Sequence, residues 1–135
     1  MPFVLDNSVV AGWYLPDQAT PYTHAIATRL ETDRAIVPAL WQLEFANVLK
    51  TACSRGKLSL DNAREIVDTF ATLPIELDSG VAPNPRQLFE LAMRYNLSSY
   101  GAAYLELAMR FGLPIACQDN KLKEAAVQAG VEVLA

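Results

Sequence analysis

Histidine is almost missing from this chain of 135 residues: His24 stands alone. One imidazole rules out a multi-histidine zinc site and disfavours a Ser-His-Asp triad, leaving His24 as a helix residue near the surface. Cysteine is scarce too. Cys53 and Cys117 are far apart and neither belongs to a Cys-x-x-Cys pair, so no disulfide framework is expected and a reducing, cytoplasmic setting is the default. Basic charge is in deficit, 11 Lys and Arg against 15 Asp and Glu, for a net charge of -4. Without a global basic field the chain does not read as a sequence-specific DNA binder, although an enzyme that grips phosphates through a metal stays open. No apolar run approaches the ~20 residues that cross a bilayer. The opening "MPFVLDNSVV" has no basic region and meets an acid at Asp6, so no signal peptide is expected.

What is present is a one-domain length, residues 1–135, with just over half of its residues hydrophobic. "FVLD" (3–6), "RAIVP" (34–38), "PIEL" (74–77), residues 113–117 and "VEVL" (131–134) read as short strands. Between them helices are predicted over 7–15, 20–32, 39–56, 59–73, 85–95, the segment after Asn96, and 120–129. Strands alternating with helices predict an α/β fold, a mostly parallel sheet covered on both faces. In such sheets sites form beyond the carboxyl ends of the strands.

Two acids stand at those ends, Asp6 and Asp119. A third, Glu44, lies on the 39–56 helix between Leu40 and Val48, where a carboxylate is costly to bury unless something neutralises it. Each has a bland reading: a strand-end Asp often only caps the next helix, and a Glu on an apolar edge often reaches out to water. Three acids converging on one sheet edge suit a hard, oxygen-preferring cation, Mg²⁺ or Mn²⁺, and with it phosphodiester hydrolysis. Ser8 and Asn120 are candidate donors behind these ligands. Lys121, Lys123, Arg55 and Lys57 could contact phosphates, or be ordinary solvated side chains.

Here the order of the pieces resembles the PIN domain, and specifically its VapC-type toxin ribonucleases. The resemblance rests on "FVLDNSVVAGWYLPDQ", "VPALWQLEFANVL" and "LSSYGAAYLELAMRFGLPIACQDNKLKEAA", which together cover nearly the whole chain. It implies a three-layer α/β/α sandwich and a metal-dependent endoribonuclease acting on structured RNA, often transfer RNA. It also implies a homodimer held inactive by a small VapB-like antitoxin. In the family four acids form the site; Asp6, Glu44 and Asp119 match three of them, and Ser8 matches the residue that helps orient the first motif. Trp13, Tyr14, Leu15, Tyr22 and Trp41 would be core, or part of an antitoxin groove or dimer contact.

One position departs from the pattern. The family's third motif reads Tyr-Asp-Ala with the Asp on the metal, whereas this chain reads Tyr100-Gly101-Ala102. A glycine inside a helix costs about 1 kcal/mol against alanine, so Gly101 calls for a reason. The chain is a naturally weakened or inactive member, or carries a change acquired in cloning, or is compensated by Glu106. The last is disfavoured, because five residues along a helix turn a side chain about 140° away. Cys117 replaces a frequent Thr, a milder change. Two further readings stand beside the enzyme: a degenerate PIN domain that binds RNA or antitoxin without cutting, and a phosphoacceptor domain. The latter is disfavoured because it would want paired acids after the first strand, where Asp6 is followed by Asn7-Ser8.

Overall fold

The computed structural model describes residues 1–135. Four strands, β1 (Phe3–Leu5), β2 (Ala35–Val37), β3 (Ile75–Leu77) and β4 (Ile115–Ala116), form an all-parallel sheet of order β3-β2-β1-β4. Parallel neighbours cannot be joined by tight turns, so each step along the sheet is made through helices. These are α1 (Asn7–Val10), α2 (Pro21–Arg29), α3 (Leu40–Ser54), α4 (Leu60–Phe70), α5 (Pro85–Tyr95), α6 (Ser99–Phe111) and α7 (Asn120–Gln128). The result is an α/β sandwich, and no helix is long and apolar enough to cross a membrane.

Strand composition explains the layering. Phe3, Val4 and Leu5 are all fully buried, as a strand covered on both faces requires. Trp41, Phe45 and Leu49 of α3 and Tyr104, Leu105 and Ala108 of α6 recur at helical spacing and close the core from their sides. An aromatic cluster locks α3 to α4: Trp41 stacks on Phe45 at 5.0 Å between ring centroids, and Phe45 on Phe70 at 4.8 Å. Capping sets the helix starts. Thr20 and Asn84 form capping boxes with Thr23 and Gln87, each followed by a proline, and Ser98 caps α6 by accepting from the Gly101 N–H at 3.1 Å.

Two sequence expectations change. The predicted helix over 7–15 is a four-residue α1 followed by 3₁₀ turns at Ala11–Trp13 and Pro16–Gln18. A side chain on Gly12 would stand 2.5 Å from Thr23 Cγ2, so the chain here is shaped by its close approach to α2. The predicted strand over 131–134 reduces to one parallel bridge between Val133 and Ile115. Its partner β4 is only two residues long, which leaves no ladder to extend.

The strand order places the site. β1, β2 and β3 proceed outward in one direction, and β4 returns to the other side of β1. The order reverses between β1 and β4, and sheets of this kind place their sites beyond the strands' carboxyl ends at such a reversal. The Asp6 N–H donates to the Ala116 carbonyl at 3.0 Å and so pins the residue after β1 beside the end of β4.

Candidate active site

Asp6 is the N-cap of α1. Its Oδ2 accepts from the Ser8 hydroxyl at 2.5 Å and, more loosely, from the Ser8 N–H at 3.4 Å. The same hydroxyl oxygen accepts the Gln118 N–H at 2.9 Å, and the Gln118 side-chain amide donates to the Ser8 carbonyl at 3.0 Å. Ser8 thereby ties the ends of β1 and β4 together while orienting the first carboxylate. Asp119 caps α7, its Oδ1 accepting from the Lys121 N–H at 2.9 Å. Asn120 is exposed at the start of α7 and its side chain makes no hydrogen bond, so the donors at this end of the site are Ser8 and Gln118.

Glu44 comes from α3, at the half-buried edge between Leu40 and Val48; its other neighbours, Leu43 and Asn47, are exposed. Its Oε1 accepts from the Tyr104 hydroxyl at 2.6 Å. Tyr104 is fully buried, and its oxygen accepts in turn from Asn7 Nδ2 at 3.3 Å. That amide also donates to the Trp41 carbonyl at 3.2 Å.

Glu44 and Asp119 both lie near enough for their charges to act on Asp6. The Asp6 carboxyl is pushed up from 3.8 to about 6, chiefly by burial, with the charges of Glu44 and Asp119 adding to the rise and the Ser8 hydrogen bond opposing it. Cys117, buried behind them, is pushed up to about 12 by burial and then by the Asp6 charge, so it is a neutral thiol. Burial, and then the hydrogen bond to Glu44, also raise the Tyr104 hydroxyl far above the ordinary tyrosine range. The carboxylates feel one another without closing on a point: no three His, Cys, Asp or Glu side chains are grouped tightly enough to enclose an ion. The donor chemistry nevertheless fits a hard cation. The carboxylates offer oxygen, Asp6 is half-buried without a cationic partner, and Asn7 Oδ1, beside Asp6 in the chain, is buried with no hydrogen-bond partner.

Against known proteins, the chain is 27% identical over 128 residues to ribonuclease VapC3 of Pyrobaculum aerophilum, covering 92% of this chain and 94% of that one. Its structure superimposes on the crystal structure of PAE2754 from Pyrobaculum aerophilum with a TM-score of 0.72 and 17% identity, over 93% of this chain and 84% of that one. The chain is thus similar to a VapC ribonuclease and has a PIN-like fold. No family model matches it.

On this PIN-like frame Gly101 lies in the first turn of α6, one helical turn before Tyr104 and Leu105 and on the same side of the helix. Neither backbone nor packing demands a glycine. A Cβ there would meet Leu97 Cδ2 at 3.5 Å and Ser98 Oγ at 3.7 Å, ordinary contacts, and the residue is helical. Glu106, the alternative acid on this helix, is engaged elsewhere. It is bound to Arg110 at 2.8 and 3.1 Å, and Arg110 also donates to Asp78 at 2.8 Å.

The remaining expectations divide. Lys57 is paired with Asp17 at 2.5 Å and Lys123 lies over the Tyr22 ring at 5.6 Å, while Lys121 and Arg55 are exposed without an ion pair. Trp13, Tyr14, Leu15, Tyr22 and Trp41 are buried or half-buried and packed into the interior; Trp13 also donates to the Thr23 carbonyl at 2.7 Å. They form no exposed patch. Sequence reasoning missed Tyr104, Asn7 and Gln118. The one signal for Tyr104 was its spacing, three residues past position 101 on the same helix.

Proposed function

We propose that this chain is a VapC-type endoribonuclease that uses Mg²⁺ or Mn²⁺ and is weakened by the loss of its third carboxylate at Gly101. The observation that carries the reading is the half-buried Asp6 carboxyl, raised chiefly by desolvation and further by the charges of Glu44 and Asp119, at the point where the sheet reverses its strand order. Kinship with a ribonuclease over nearly the whole chain supports the same conclusion.

Asp6 and Asp119 would hold the cation through the oxygens their caps leave free, Oδ1 and Oδ2, and Glu44 would contact it, or a water on it, through Oε2. When bound, a divalent cation lowers the pKa of its water and neutralises charge on the phosphate being cut. No side chain need act as a strong base. Ser8 fixes Asp6 Oδ2 by its hydrogen bond and lowers the cost of the carboxyl's ionisation. Exposed Lys121 and Arg55 are left to contact the RNA backbone. A homodimer and a VapB-like antitoxin belong to this reading, as does a cytoplasmic setting.

The missing acid favours a second reading, a PIN domain that binds RNA or antitoxin without cutting. Mg²⁺ titration followed by an RNA cleavage assay separates the two. Slow, Mg²⁺-dependent cleavage supports the enzyme, whereas RNA binding with no cleavage at saturating Mg²⁺ supports the binder.

A further inference from the structure

We infer that Tyr104 is a positioning residue that aims Glu44 at the cation site, held in its own orientation by Asn7. This rests on the metal-site reading above and deepens it.

The hydrogen-bond directions form a one-way chain. The Trp41 carbonyl can only accept, so the group of Asn7 facing it at 3.2 Å must be the NH₂, which settles the amide's orientation. That NH₂ gives its second proton to the Tyr104 oxygen at 3.3 Å. With Asn7 donating into it, the phenol proton is free to point only at Glu44 Oε1, 2.6 Å away. The phenol is itself held fast, because Tyr104 is 1% exposed and belongs to the main hydrophobic core. A flexible glutamate at a half-buried helix edge thus has one oxygen fixed from the interior, and Oε2 is left as its free ligand atom. Asn7 follows Asp6 directly, so the same short segment that carries the first carboxylate also orients the support of the second. Partners of this kind, which touch a ligand and not the metal, typically set metal affinity by 10- to 100-fold.

The test is a double-mutant cycle on Mn²⁺ affinity, read by electron paramagnetic resonance with Mn²⁺ alone in the Gly101→Asp background. Circular dichroism serves as the check on folding. Tyr104→Phe keeps the ring and removes the hydroxyl, and is expected to weaken Mn²⁺ binding about tenfold. With Glu44→Ala already present, Tyr104→Phe should change affinity by less than about twofold, because a role exerted through Glu44 has nothing left to act on. Asn7→Ala should show a smaller loss in the same direction, and carries the test if Tyr104→Phe does not fold. Unchanged affinity in Tyr104→Phe, or an equal loss with and without Glu44, overturns the positioning role while leaving the metal site standing. No Mn²⁺ binding in any variant overturns both.

Discussion

The Ser8 hydroxyl lies 2.5 Å from Asp6 Oδ2 and hands that carboxylate its one strong hydrogen bond, while taking the backbone N–H of Gln118 from the segment after β4. Ser8→Ala removes both contacts at once. The Gln118 N–H loses its acceptor, and the Asp6 carboxylate loses the interaction that opposes its raised pKa. The variant should be destabilised by about 1–3 kcal/mol in urea unfolding. The Asp6 carboxyl should titrate higher than in the parent, by NMR in metal-free solution.

Asp6 gives the fold a definite pH response. Its folded value is about 6 against 3.8 for the free group, so between these values the folded state holds more protons than the unfolded one. Stability from this group is therefore full below pH 4, falls as pH rises toward 6, and is gone above it. Asp6→Asn keeps an acceptor for Ser8 and has no such loss, so at pH 7 without metal it should be more stable than the parent by about 2 kcal/mol. The difference should vanish near pH 4. Urea midpoints across pH 4–7 check this, and saturating Mg²⁺ should close the gap at pH 7 by stabilising the parent alone.

Glu106 is committed to Arg110, and through it to Asp78 after β3. Glu106→Ala should leave divalent-cation affinity unchanged within about twofold, the margin within which uncoupled sites act independently. A clear loss of Mn²⁺ affinity in that variant would show that Glu106 stands in for the absent acid after all.

The parts of this molecule governed by local pattern were legible in the sequence. Alternating short apolar runs and capped helices announce the parallel sheet, and Asp6, directly after β1, and Asp119, three residues beyond β4, can be placed at strand ends because they follow those runs closely. Asn84, Ser98 and Gly112 mark their helix boundaries through local hydrogen bonds and a left-handed C-cap. What depends on partners distant in the chain was not legible. The close approach of the 7–15 segment to Thr23, which the missing side chain of Gly12 permits, and the short C-terminal pairing beside the two-residue β4 both involve partners distant in the chain. Tyr104 reads as a core aromatic because it is one; only its contact with Glu44, sixty residues away in the chain, shows what its hydroxyl is for.

The central claim is that residue 101 is a vacated ligand position in a site that Asp6, Glu44 and Asp119 still outline. Nothing in the packing resists an aspartate there, and at the third position of α6 an acid also complements the helix N-terminus. The decisive measurement is the single-turnover rate of RNA cleavage by the parent and by Gly101→Asp at matched, saturating Mg²⁺. The restored carboxylate should raise the rate by at least about 100-fold, the scale on which one group stabilising transition-state charge acts. Equal rates in the two proteins would contradict the account.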